Sequence, residues 1–282
     1  MKKKNYKQSP ANVATSFAMY FVLTLLAIST LVPFMWMFLT GFKLNRLAMF
    51  QYFPKPWVLD NYKAVFENTS LGKSYLNSLK VAVSATFLQL ITSSMAAFSF
   101  TKLKYRGRNL FYLLYIATMM VPGQVILLPQ FELINKMHLY DTHLALILLA
   151  SFGPFGVFLV SQSFRSMPNE LLDAARIDGA GAFKSYFYIG LPMVRPALAA
   201  LTILGFIGGM NDFMNPLIFL GSKEKYTLTL AMRSYATERS DNISVQMAVT
   251  SLALIPMIIL YVIAQEQIME GVAFNGGGGL KG

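Results

Sequence analysis

The chain has no cysteine, only two histidines, and little charge, with 13% of its residues Asp, Glu, Lys or Arg. Without thiols it can form neither a disulfide nor a thiolate metal site. His138 and His143 stand five apart in a polar segment, with no further ligands at metal spacing, so they do not suggest a metal centre. No paired acid and base stands out either, which argues against a membrane enzyme. Acids are scarce, 13 against 24 Lys and Arg, for a net charge of +11. That balance could suggest nucleic acid. The cations, however, fall in short clusters between apolar runs and form no continuous basic track.

What the sequence has is apolar length. Hydrophobic residues make up 55% of the 282, too many for an ordinary soluble domain. A bilayer core of about 30 Å needs about 20 residues of helix. Six windows meet that length, at about 14–40, 75–101, 109–131, 144–164, 196–221 and 242–265. Backbone groups in lipid must be satisfied internally, so these windows predict helices. They are too continuous for barrel strands, which alternate over about ten residues. Lys2, Lys3 and Lys4 precede the first window, which is too long for a signal-peptide core and reads as a retained span. The expected fold is therefore all-α, a single polytopic membrane domain over 1–282 with six transmembrane helices.

Charge sets the expected sidedness. Lys2, Lys3, Lys4 and Lys7 place the N-terminus inside, and Lys102, Lys104, Arg106 and Arg108 place the next cluster inside. Alternation then makes 165–195 cytoplasmic, 222–241 external and the tail 266–282 cytoplasmic. Pro54, Pro56 and Trp57 suit a structured outer segment between the first two spans. Pro33, Pro122, Pro129, Pro154, Pro216 and Pro256 lie in or beside spans, where a proline frees a carbonyl and bends the helix. Gly205 and Gly209 form a small-xxx-small pair suited to close helix packing. Gln89, Thr92, Ser93 and Ser94 read as polar glue between helices.

Asp212 is the unusual intramembrane residue. A carboxylate at a helix centre costs about 2.5–3.5 kcal/mol on insertion scales. With Asn211, Asn215 and Gln124 it forms a candidate translocation path; an outer, water-facing helix end is the plainer alternative.

The polar interruption 165–195 carries the sharpest pattern. Ser166 and Pro168 suit a helix start, Glu170 and Asp173 suit its first turn, and Gly179 and Gly181 suit its end. The stretch Gly179 to Ser185 fails as a phosphate loop, because Phe183 rather than glycine precedes Lys184 and no strand leads into it. Its order is Asp173-Ala174-Ala175, three residues, Gly179, nine residues, Ile189, one residue, Leu191-Pro192.

That order resembles the signature loop of the integral-membrane permease subunits of ATP-binding-cassette importers, written Glu-Ala-Ala…Gly…Ile-x-Leu-Pro. Asp173 stands where the family has Glu, keeping the charge on a shorter reach. Met119 to Val125, Gly208 to Phe213 and Lys225 to Leu230 resemble the carbohydrate branch of that family. Over nearly its whole length the chain is similar to the smaller six-span permease of maltose-type systems.

The resemblance implies a non-catalytic subunit in the cell membrane of a prokaryote, with both termini cytoplasmic. Its partners would be a sister permease, two ATPase subunits and an external solute-binding protein. ATP and magnesium would sit on the ATPases, leaving this chain without a cofactor. Glu170, Asp173, Ala174, Ala175, Arg176, Asp178 and Gly179 would form the coupling helix. Arg233, Tyr235, Glu238, Arg239 and Asp241 would meet the binding protein. The cargo would be a sugar, with an oligosaccharide favoured over glycerol-phosphate or a polysaccharide fragment. An ion-coupled secondary transporter would explain six helices and an intramembrane acid, but not this loop, and the chain shows no repeated halves.

Overall fold

A computed structural model describes residues 10–67, 69–238 and 242–276. Its elements follow the chain as helices α1 (Pro10–Gly41), α2 (Asp60–Glu67), α3 (Thr69–Lys102), α4 (Arg108–Ala117), α5 (Gly123–Lys136), α6 (His143–Ser151) and α7 (Pro154–Ser166). After these come α8 (Glu170–Ile177), α9 (Ala182–Ser185), a π-helical turn Tyr186–Gly190, and α10 (Leu191–Met193). The last are α11 (Arg195–Asn211), α12 (Met214–Phe219), α13 (Leu228–Glu238) and α14 (Ile243–Gly276). No strand occurs among the described residues. The contacts divide the chain into two compact units, Met1–Glu67 with Arg239–Leu252, and Asn68–Glu238 with Ala253–Gly282.

In the first unit α1 is apolar around its whole circumference and exposes side chains such as Phe21, Leu26 and Leu31 on all sides. A helix without a polar face needs a non-aqueous surround. Beyond it an aromatic cluster of Phe38, Phe42, Trp57 and Tyr62 folds the outer segment back, with ring centroids 4.6 Å apart for Phe42 and Tyr62. Asn61 Nδ2 donates to the carbonyls of Gly41 and Lys43, both at 2.8 Å. Those carbonyls are left over where α1 stops, so Asn61 closes its C-terminus. Lys43 is fully buried, its ammonium 5.3 Å from the centre of the Trp36 ring and 3.0 Å from Thr40 Oγ1.

In the second unit α3 is the central element, with α6, α7, α11 and α13 packed along it. Small residues allow the approach. Gly156 meets Ser93 and Leu201, Gly205 meets Gln89 and Thr86, and a Cβ on Gly209 would lie 3.1 Å from the Ala82 Cα. Lipid supplies no hydrophobic drive between helices, so close van der Waals packing carries the association. One core groups Ala97, Phe98, Val160, Phe164, Leu172 and Tyr186, while a second near the other end of α3 groups Val81, Ile134, Leu146 and Phe219. Leu76, Val83, Phe87, Ile91 and Met95 form an exposed apolar stripe on α3.

The expected spans are corrected in detail. Four stretches are long and apolar enough to cross a membrane as they stand: 18–41, 71–102, 143–166 and 243–263. The third window is broken, residues 108–120 and 123–136 meeting at 104°. The fifth is interrupted where α11 ends at Asn211, and its helix pairs instead with residues 182–193, which meet 195–211 at 76°. Counting each bent pair as one span gives six, otherwise four. The 165–195 segment is thus only partly a polar loop, since its residues from 182 onward belong with an apolar pair. Pro122 and Pro154 sit at breaks, as a missing N–H and a ring clash dictate. Pro33, Pro129 and Pro256 instead lie inside continuous helices.

The breaks are patched from neighbouring elements. Where α6 gives way to α7, the Ser151 carbonyl accepts from Thr92 Oγ1 at 2.6 Å, and the Phe152 carbonyl from the Tyr115 hydroxyl at 2.9 Å. At the π-helical turn the Tyr186 hydroxyl meets Ser94 Oγ at 2.7 Å. Thr92 and Ser94 are the glue expected of them. Ser93 Oγ is buried without a partner among the described residues, and its place is set by packing on Gly156.

A second polar fastening joins the 137–142 turn to 221–225. Asp141, in the left-handed region at φ 57°, accepts from the Gly221 and Ser222 amides at 3.0 Å, from the Ser222 hydroxyl at 2.6 Å and from Lys225 Nζ at 2.9 Å. Burial works against its charge, but the Ser222, Lys225 and Gly221 donors outweigh burial and hold the carboxyl well below the usual carboxylate range. His143 Nε2 lies 2.8 Å from the Lys225 carbonyl and braces the same loop.

Two outcomes test this packing. Gly209→Val drives side-chain atoms into the Ala82 backbone and should cost about 1–3 kcal/mol, read by thermal unfolding in detergent. Asp141→Asn should cost about 2 kcal/mol near neutral pH. Because the folded carboxyl titrates below its unfolded value, its contribution is complete above about pH 4 and fades as the pH falls further. The stability gap between wild type and Asp141→Asn should therefore close on acidification below that pH. A gap that stays constant with pH would show that the charge is not what holds the turn.

Candidate functional site

The candidate site is α8 and the segments that hold it. Its N-terminal end follows Pro168, and the Asn169 carbonyl accepts from the Leu172 amide at 2.9 Å and the Asp173 amide at 3.0 Å. Ser166, expected at the helix start, is instead the last residue of α7, its hydroxyl bonded back to the Ser163 carbonyl at 2.8 Å. Helix α7 runs two residues past the expected end of its span, to Ser166, with Phe164 and the following Met167 buried in the core. The C-terminal end is a Schellman arrangement. Gly179 adopts φ 80°, its amide donates to Arg176, and the Ala180 amide reaches the Ala175 carbonyl at 2.8 Å. A left-handed residue at this place favours glycine, since a Cβ would clash with the carbonyl.

The helix has two faces. Leu172 and Ala175, three apart, are buried, and Leu172 joins the core of Phe98, Phe164 and Tyr186. Glu170, Asp173, Ala174, Arg176, Asp178 and Gly179 are exposed. Of the two alanines expected to face a partner, only Ala174 is exposed, because Ala175 seats the helix on its own chain. Asp173 is paired with Arg176 at 3.0 Å on the exposed side, a link of a few tenths of a kcal/mol. Leu171 and Ile177 were not singled out from sequence, yet both are exposed, Ile177 at 88%. Their signal was present as two large apolar residues that do not follow the buried spacing of Leu172 and Ala175.

Lys102 fastens this unit to α3. Its ammonium is buried and donates to the Met167 carbonyl at 2.6 Å and to Asn169 Oδ1 at 2.8 Å. The last residue of α3 thus holds both residues that flank Pro168 and fixes where α8 begins. A rigid helix with an exposed apolar and charged face, anchored at one end of a long membrane helix, can transmit a push but carries no chemistry of its own.

The candidate path residues are not brought to one point by a continuous helix. Helix α11 stops at Asn211, and Asp212 occupies the break. Its carboxylate accepts from the Asn215 amide at 3.2 Å and Asn215 Nδ2 at 2.7 Å, capping α12, and its carbonyl accepts from Thr229 Oγ1 at 2.6 Å. The expected intramembrane charge is therefore a half-buried helix cap at a break rather than a mid-helix group. Asn211 is exposed, and Gln124 lies exposed beside the 104° bend. Arg233 is exposed on α13, and Tyr235 and Glu238 belong to the same helix. Arg239 and Asp241 lie outside the described residues.

The profile of a family described as "Binding-protein-dependent transport system inner membrane component" matches residues 89–272, more than half of the chain. This chain belongs to that family. It is a permease subunit of ATP-binding-cassette importers, a transport component rather than a catalyst, and a multi-span protein of the inner membrane. It is 33% identical over 230 residues, 81% of each chain, to the arabinooligosaccharides transport system permease protein AraQ of Halalkalibacterium halodurans. It is 31% identical to the diacetylchitobiose uptake system permease protein NgcG of Streptomyces coelicolor, over 89% of this permease and 85% of that one. Its fold matches a chain of a bacterial ABC transporter involved in import of the acidic polysaccharide alginate, with a TM-score of 0.80 at 22% identity, covering 93% of this chain and 99% of that one.

The Gly179 cap offers a direct test of how the permease holds α8. Proline cannot reach φ 80° and has no amide for the Arg176 carbonyl. Gly179→Pro should leave the chain in the membrane but speed hydrogen exchange of the Asp178–Ala180 region and the last turn of α8 by about tenfold or more. Unchanged exchange there would mean that the cap does not hold the helix.

Proposed function

We propose that the chain forms half of the translocation pathway of an oligosaccharide importer and that α8 is the coupling helix that docks on an ATPase subunit. The observation that carries this reading is the division of α8 into a face seated in its own core and a face exposed for a partner. Leu171, Ala174 and Ile177 offer apolar contact, and Glu170, Asp173, Arg176 and Asp178 offer polar contacts that set register. The buried Lys102 links α8 to α3, so a displacement of α8 is passed to the central helix of the second unit.

In this reading the bent pairs count as spans, giving six, and the basic 102–108 loop, α8 and both termini face the cytoplasm. A sister permease completes the pathway, two ATPase subunits bind and hydrolyse ATP with magnesium, and an external solute-binding protein delivers the sugar. The α13 region, with Arg233, Tyr235, Glu238, Arg239 and Asp241, faces that protein. Asn211, Asp212, Asn215 and Gln124 border the path at helix breaks, where freed backbone groups and amide side chains can hydrogen-bond sugar hydroxyls. Permeases for arabinooligosaccharides and diacetylchitobiose among its relatives support a short oligosaccharide as cargo.

Ile177→Asp tests the coupling role without touching the buried face. The transporter should still assemble with its ATPase subunits, while the ATPase stimulation by sugar-loaded binding protein should fall about tenfold or more, as expected when an apolar anchor is lost. Normal stimulation and uptake in this variant would refute the assignment of α8. Calorimetry of the cognate binding protein against a panel of oligosaccharides, glycerol-phosphate and polysaccharide fragments identifies the cargo.

A further inference from the structure

A cleft of about 550 Å³ lies between the loop that follows α3 and the side of α8. Lys102, Lys104, Arg108 and Arg176 line it, against the carboxylate of Asp173. Three of these cations are engaged. Lys102 is held by Met167 and Asn169. Arg108 uses Nη1 on the Leu103 carbonyl at 3.0 Å and the Thr101 carbonyl at 3.4 Å, and Nε on Asn109 Oδ1 at 3.3 Å. Arg176 uses Nη1 on Asp173. Among the described residues Lys104 meets no carboxylate within 4.0 Å. Glu170 also acts electrostatically on Lys102, so two carboxylates face four cations and a surplus of positive charge is left in the cleft.

Its surroundings point to the kind of anion. Helix α4 leaves the cleft at Arg108 and at once exposes Leu110, Phe111, Leu113 and Leu114, each more than half accessible. A soluble anion needs only the cations. A cationic cleft continuous with an apolar helix surface suits a molecule with an anionic phosphate head and hydrocarbon tails. We infer that the cleft binds the phosphodiester head of an anionic phospholipid, with its acyl chains along α4. Basic residues clustered at the cytoplasmic end of membrane helices attract such lipids. The bound phosphate bridges the 102–108 loop to α8, so lipid charge bears on the position of the proposed coupling helix. This inference rests on the cytoplasmic placement of that loop in the proposed function.

The test is native mass spectrometry of the full-length chain, released from nanodiscs holding equal phosphatidylglycerol and phosphatidylcholine. Phosphatidylglycerol adducts should dominate. Lys104→Gln should reduce that preference about fivefold, the effect of one cation near a lipid surface, and Lys104→Arg should restore it. Equal retention of the two lipids by wild type overturns the site, and so does an undiminished preference in Lys104→Gln. Displacement of the adducts by millimolar inorganic phosphate overturns the lipid assignment in favour of a soluble anion. The readout does not involve ATPase partners. A chain that retains phosphatidylglycerol while Ile177→Asp couples normally would lose the coupling reading and keep the lipid site.

Discussion

A backbone carbonyl freed inside a membrane has no water to bond, and this chain frees several. Its apolar segments do not run straight through. They stop and restart at 121–122, at 152–153, at the π-helical turn and at Asp212. Each interruption costs helix hydrogen bonds that must be replaced from nearby. Much of the replacement comes from α3. Thr92 serves the α6–α7 break and Lys102 the junction of α7 and α8, while Ser94 holds the π-helical turn through the Tyr186 hydroxyl. Asn77 and Ser78 serve the segment that follows α12, through the Glu224 and Tyr226 carbonyls and the Leu228 amide. One long helix thus supplies donors and acceptors to the breaks of its neighbours.

That arrangement explains why α3 is both apolar and dotted with small polar residues. A helix rich only in leucine would pack in lipid but could not meet the broken segments. Ala82, Thr86, Gln89 and Ser93 also let Gly156, Gly205 and Gly209 come close. The two tasks fall to different side chains of one helix: Thr92, Ser94 and Lys102 make the hydrogen bonds, while Ala82, Thr86 and Ser93 admit the glycines.

The consequence reaches α8. Its buried face belongs to the same core as Phe98 and Tyr186, and its start is fixed by the residue that ends α3. Helix α8, the proposed coupling element, has eight residues and cannot be stable alone, because isolated helices of that length barely form in water. Two buried residues, a glycine cap and a lysine hold it in place. The basic cleft beside it is lined by the same lysine.

Much of this was legible in the residues. The apolar windows and the cation clusters predict an all-helical membrane protein, and the order from Asp173 to Pro192 carries its resemblance to importer permeases. Gly179 could be read as a terminus because few other residues tolerate the left-handed region. What the sequence could not decide was direction and continuity. Hydropathy over a window is blind to a 104° bend, since a bent pair and a straight span have the same composition. Asp212 read as a buried charge became a cap, because only the tertiary structure says whether a helix continues through it. Ala174 and Ala175 are chemically identical, and only packing turns one outward and the other inward. The membrane's demand for satisfied backbone determined the fold class from sequence. Which side chain from which neighbour meets each demand was decided by the tertiary structure, because those partners lie up to 199 residues apart along the chain.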